Sequence, residues 1–156
     1  MTNTNIPADY ILLSEQLKAL TEHVPYEITN LANASALLYQ TLPDLNWAGF
    51  YLFLDDALVL GPFQGKTACT RITMGKGVCG TAALTGQPQL VPNVHEFPGH
   101  IACDSASNSE IVIPIHKAGK LYGVLDIDSP VLNRFSKEDQ LGLELFVQTL
   151  EQILVS

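Results

Sequence analysis

The chain has 156 residues, 47% hydrophobic and 15% charged, with a net charge of −8 and only 8 Lys plus Arg. A chain of this length buries about two-thirds of its unfolded surface in one domain without disulfides or a structural metal, so a single unit over residues 1–156 is expected and its cysteines are available for chemistry. The acidic balance argues against a nucleic-acid partner and against an anionic membrane, since both need clustered basic residues.

The start, Met1 to Pro7, has neither the basic segment nor the apolar core of a signal peptide, and no apolar run approaches the roughly 18 residues of a membrane span. A cytoplasmic location is the expectation. Residues 8 to 23 follow Pro7 and set Leu13, Leu17 and Leu20 at helical spacing. A second helix is predicted from about Tyr26 to Thr41, with Ile28, Leu31, Ala32, Ala34, Ser35 and Leu38 as a small-residue face and Pro43 as its stop. The two helices are expected to pair.

At Trp47 the period changes. Trp47 to Leu54 and Ala57 to Leu60, separated by Asp55-Asp56, read as a strand hairpin. Phe63 to Arg71 reads as a polar loop carrying Cys69, Ile72 to Met74 as a short strand, and Gly77 to Thr85 as a short helix closed by Gly86, with Cys79 in its first turn. Gln89 to Val91 is a further strand. Pro92 to Ser109 is a long loop with His95, His100 and Cys103, and loops of that length inside compact domains are functional or mobile. Glu110 to His116 and Lys120 to Asp128 are strands, and Ser136-Lys-Glu-Asp139 opens a terminal helix carrying Leu141, Leu145, Val147, Leu150 and Ile153. The order α-α-β-β-β-α-β-β-β-α indicates an α+β fold: a largely antiparallel sheet of about six strands with N- and C-terminal helices packed against it.

In Val124-Leu-Asp-Ile-Asp128 alternation puts Asp126 and Asp128 on one face and Leu125 and Ile127 on the other. A two-residue turn at Ala118-Gly119 would force Ala118 to positive φ and set Ile111 against Asp126, so a three-residue Lys117-Ala-Gly119 loop is preferred. That register pairs Ile111 with Leu125, Ile113 with Gly123, Ile115 with Leu121 and Glu110 with Asp126. Glu110, Asp126 and Asp128 then form an acidic cluster beside the Cys103 loop, suited to an ammonium group or to Mg²⁺ or Ca²⁺, and able to raise one carboxyl's pKa until it donates a proton.

Gly75-Lys-Gly-Val-Cys-Gly80 matches G-x-G-x-x-G, yet a Rossmann site needs a long strand and a full βαβ unit. What survives is the physics of a helix start, whose free N–H groups attract anions and favour a thiolate at Cys79. The three cysteines, in a chain expected in a reducing compartment, point to redox work rather than a static disulfide framework. Zinc ligation by His95, His100 and cysteines ranks below that role, because their spacings match no standard zinc pattern.

The element order, the glycine turn and Tyr122-Gly-Val-Leu-Asp-Ile-Asp-Ser129 resemble a GAF domain over nearly the whole chain. Trp47-Ala-Gly-Phe-Tyr51, Leu60 to Cys69, Gly75 to Gly80, His100-Ile-Ala-Cys-Asp104 and Ser109-Glu-Ile-Val-Ile-Pro114 resemble, more specifically, the free methionine-(R)-sulfoxide reductases. The resemblance implies Cys103 as nucleophile, Cys69 as resolving thiol and Cys79 as a third redox-active or supporting cysteine. It implies Trp47 and Tyr51 around the methylsulfinyl group, and Glu110, Asp126 and Asp128 for the amino group and sulfoxide. It further implies a Cys sulfenic acid, an intramolecular disulfide recycled by thioredoxin, no metal or organic cofactor, and a homodimer paired through terminal helices. The rival reading is a GAF sensor module that binds a small molecule without catalysis.

Overall fold

The computed structural model describes residues 6–100, 103 and 105–155. Its elements run α1 (Ala8–Thr21), α2 (Glu27–Thr41), β1 (Trp47–Leu54), β2 (Ala57–Gly65), β3 (Arg71–Thr73), α3 (Gly77–Thr85), β4 (Gln89–Val91), β5 (Ser109–Lys117), β6 (Lys120–Ser129) and α4 (Lys137–Val155). All sheet pairings are antiparallel, and the strand order is β3-β2-β1-β6-β5-β4.

Strand alternation divides the interior into two apolar clusters. On one face Ala48, Phe50, Ile111, Ile113, Ile115, Leu125 and Ile127 meet α1, α2 and α4. On the other, Trp47, Tyr51, Val112 and Val124 meet α3 and the loops around it. Because side chains on a strand switch face at every residue, the two neighbours Phe50 and Tyr51 belong to different clusters. The second cluster is the one that holds Cys79.

The helices bury narrower stripes than their apolar content implies. In α1 the inward face is Tyr10, Leu13, Ser14, Leu17 and Thr21, while Leu20 is exposed. In α2 it is Asn30, Leu31, Ala34, Ser35, Leu37 and Leu38, and Ile28 and Ala32 point outward. Helix α1 lies chiefly along α4 and only secondarily on α2. At that seam Tyr10 donates its hydroxyl to Asp139 Oδ1 at 2.6 Å. Helix α4 opens on the expected reciprocal cap: Ser136 N donates to Asp139 Oδ2 at 2.8 Å and Asp139 N donates to Ser136 Oγ at 3.1 Å.

Two expectations are corrected. Strand β2 continues to Gly65, through what reads as the start of a polar loop, because β1 pairs with it as far as Trp47↔Gly65. A bulge between Gly49 and Tyr51 lies opposite Gly61-Pro62, the setting in which a strand tolerates proline. The β5–β6 turn is the two-residue form that looked improbable, with Ala118 at φ 53° and Gly119 at φ 78° and Lys117 paired to Lys120. A bulge after Ile115, with Tyr122 as its extra residue, then shifts the register, so that Ile111 pairs with Ile127, Ile113 with Leu125 and Ile115 with Gly123. Apolar residues still face apolar residues, and Glu110 sits opposite Asp128 rather than Asp126. Gly123 is required where β6 meets β1, since a Cβ there would lie 2.2 Å from the Tyr51 carbonyl oxygen.

Candidate active site

A cavity opens on the α3 side of the sheet. Its walls include Trp47 and Tyr51 from β1, Lys76 to Cys79 from the start of α3, His100, Cys103 and Ser107 from the long loop, and Glu110, Asp126 and Asp128 from β5 and β6. Of the candidate site residues only Cys69 does not line it, and Cys69 is joined by a disulfide to Cys103, which does.

The aromatic wall comes from the parity of β1: Trp47 and Tyr51 lie on one face, stacked with ring centroids 5.9 Å apart, each 2% exposed. Phe63 also stacks on the indole, with centroids 5.1 Å apart. Both polar tips grip the segment after β2. Trp47 Nε1 donates to the Lys66 carbonyl at 3.1 Å, and Tyr51 Oη donates to the Cys69 carbonyl at 2.9 Å. Burial, with a smaller contribution from the charges of Asp126 and Cys79, pushes the Tyr51 phenol far up its scale, so it remains a donor at all ordinary pH. The aromatic pair therefore does two things, lining the cavity and fixing the backbone of Cys69, the disulfide partner of a cysteine in its wall.

The glycine motif is a three-residue strand, a turn and a nine-residue helix, not a dinucleotide site. Gly75 N donates to the Gly80 carbonyl at 2.8 Å, folding the turn back on the helix. At Gly80 a Cβ would stand 2.6 Å from the Thr73 carbonyl oxygen, so only glycine lets helix and strand approach this closely. Lys76 caps α3 without a side-chain bond. The first N–H groups of the helix have no intrahelical acceptor, and Lys76, Gly77 and Val78, where it begins, line the cavity.

Cys79 corrects a third expectation. Its thiol is buried and lies 3.9 Å from Glu110 Oε2. Burial, followed by the charges of Asp126 and Glu110, pushes it well above the usual thiol value. The helix-start field is outweighed, and Cys79 is a protonated thiol rather than a thiolate. Glu110 is likewise pushed well up, first by burial and then by the charge of Asp126. Asp126 is raised by burial, an effect that the neighbouring Glu110, Cys79 and Asp128 partly offset. Burial thus favours the neutral acid at both carboxyl groups, and most strongly at Glu110, where the neighbouring charges add to it rather than offset it.

The two loop histidines are neighbours, with ring centroids 6.3 Å apart. His95 is engaged outside the cavity, its Nε2 2.8 Å from Asn108 Oδ1, while His100 reaches the cavity wall. Burial and the nearby His95 lower the His100 pKa, favouring the neutral ring. Ile101, Ala102 and Asp104, part of the motif around Cys103, lie outside the described residues.

The profile described as "GAF domain" matches residues 13–154. The free methionine-R-sulfoxide reductase of Escherichia coli (strain K12) is 53% identical over 156 residues, covering 100% of this chain and 93% of that protein. The chain belongs to the GAF-domain family of free methionine-R-sulfoxide reductases. Two solved relatives share its shape. The fRMsr of Staphylococcus aureus in complex with substrate is 48% identical with TM-score 0.90, covering 98% of this chain and 100% of that one. The free methionine-R-sulfoxide reductase from Neisseria meningitidis, in complex with its substrate, is 40% identical with TM-score 0.89, covering 98% and 91%.

Within this free methionine-R-sulfoxide reductase fold, two cavity residues escape sequence reasoning. Lys76 hides in the glycine motif, where attention falls on backbone rather than side chain. Ser107, 6% exposed and accepting a hydrogen bond from Asn46 Nδ2 at 3.0 Å, ties the end of the long loop to the residue before β1. A small polar residue in a polar loop carries no signal of that role. Among the described residues, no helix is long and apolar enough to cross a membrane.

Proposed function

We propose that the chain reduces free L-methionine-(R)-sulfoxide to methionine through Cys103 and Cys69. The observation that carries this reading is the pairing of the Cys69–Cys103 disulfide with a wall of buried acids across the same cavity. The Cys103 thiolate attacks the sulfoxide sulfur while an acid protonates the departing oxygen, giving methionine and a Cys103 sulfenic acid. Glu110 is the acid best suited, because its environment keeps it protonated. The Cys69 thiol then displaces the sulfenic oxygen as water and closes the disulfide. Thioredoxin restores both thiols by dithiol exchange, consistent with a cytoplasmic protein.

Substrate choice follows from charge. Asp126 and Asp128 take the ammonium group, the N–H groups opening α3 take the carboxylate, and Trp47 and Tyr51 enclose the methyl end. A peptide-bound residue offers neither charge. Cys79 supports the acid cluster as a neutral thiol. The chain acts as one GAF-type unit over residues 1–156 and pairs with a second copy through its terminal helices. The direct test compares consumption of free methionine-(R)-sulfoxide with that of its N-acetylated, C-amidated form under thioredoxin recycling. Consumption of the free form alone is expected; equal rates would overturn the reading.

A further inference from the structure

The donor atoms of Cys79, Glu110 and Asp126 all lie within 4.8 Å of one another, and all three side chains are buried. Asp126 is 5% exposed, and its Oδ1 is buried without a hydrogen-bond partner. An unpartnered carboxylate oxygen in a dry pocket costs about 1–3 kcal/mol or more, so this atom is short of a positively charged neighbour. The cavity brings solutes to it, since Asp126, Glu110 and Cys79 all form part of its wall.

Which cation fits is decided by the sulfur. Mg²⁺ and Ca²⁺ take shells of six or more oxygens, which one thiol and two carboxyl groups do not supply. A thiolate with two carboxylates is a donor set that Zn²⁺ accepts. Ligand distances of 2.0–2.3 Å put donors roughly 3.4–3.7 Å apart around such an ion, and Cys79 Sγ already lies 3.9 Å from Glu110 Oε2. His100 lines the same cavity as the three donors, and a zinc site with three protein ligands takes water or a further ligand as its fourth.

We propose that Cys79, Glu110 and Asp126 form a Zn²⁺ site, and that the bound ion takes the seat of the substrate's ammonium group and so blocks the enzyme reversibly. On binding, the Cys79 S–H and Glu110 O–H bonds break, both protons pass to solvent, and Zn–S and Zn–O bonds form. The competitive part rests on the function proposed above; the site itself does not.

In the disulfide form Cys79 is the one free thiol, so a thiolate-to-metal absorption band reports on it alone. Titration of oxidised protein with Cd²⁺ is expected to give such a band, saturating at one equivalent and erased by added Zn²⁺. Cys79→Ala should lose the band, and Glu110→Gln should weaken binding about tenfold or more, with circular dichroism confirming the fold. Absence of the band, its survival in Cys79→Ala, or undiminished affinity in Glu110→Gln would overturn the site. Competition is read in Cys69→Ser/Cys103→Ser protein, with binding of free methionine-(R)-sulfoxide followed by the fluorescence of Trp47, the only tryptophan. Bound substrate should shift the Cd²⁺ midpoint about tenfold upward. Substrate that binds without shifting it overturns the blocking role. Substrate that fails to bind overturns the ammonium seat, and the competition with it, while the metal site stands on the first titration.

Discussion

Replacing Tyr51 by Phe separates the two tasks of that side chain. The ring stays to line the cavity, while the hydroxyl that donates to the Cys69 carbonyl at 2.9 Å is lost. A buried hydrogen bond contributes about 1 kcal/mol net, and an abandoned carbonyl adds up to about 1–3 kcal/mol, so a loss of about 1–2 kcal/mol is reasonable here. If that loss falls on the positioning of Cys69, disulfide closure slows about 5- to 30-fold, at 1.36 kcal/mol per factor of ten. Methionine release, which needs Cys103 and the acids, is affected less. The assay mixes reduced protein with one equivalent of substrate and quenches at intervals, scoring methionine by chromatography and disulfide by thiol trapping. In Tyr51→Phe the two time courses should come apart and sulfenic acid should accumulate between them. Closure at the wild-type rate, or an equal loss in both, would refute a positioning role.

Cys69→Ser should release one equivalent of methionine and then stop with a trappable sulfenic acid on Cys103, whereas Cys103→Ser should release none; mass spectrometry after a single turnover checks both. Glu110→Gln should flatten the pH dependence of stability. Glu110 is raised in the folded chain above its ordinary value of 4.5, so below that pH both states hold the proton. Above it unfolding releases a proton, and the contribution to stability falls as pH rises towards the folded value. Urea unfolding at a series of pH values measures this, and an unchanged slope in the variant would contradict the assignment of Glu110 as the neutral acid. Gly123→Ala should push β6 off β1, where the new Cβ would sit 2.2 Å from the Tyr51 carbonyl oxygen. Overpacking of about 1–3 kcal/mol lowers the thermal midpoint by roughly 2–12 °C in a chain of this size, and an unshifted melting curve would show that the strands give way freely.

Features that depend on near neighbours were legible in the sequence. Period-two alternation put Asp126 and Asp128 on one face and Leu125 and Ile127 on the other, and Ser136 with Asp139 marked the start of α4, because both patterns act within a few residues. The tertiary structure decided what depends on distant partners. The β5–β6 pairing is displaced by two residues from the expected one because a bulge at Tyr122 offsets the tight Ala118-Gly119 turn. Parity survives such a shift, so the acidic face was legible and its pairing was not. Cys79 makes the same point in energetic terms. Its position at a helix start is local and favours the thiolate, but Glu110, 31 residues further on, and the burial they share favour the thiol. Desolvation is a property of the assembled pocket, and near a low-dielectric wall it outweighs the partial charge of one helix end.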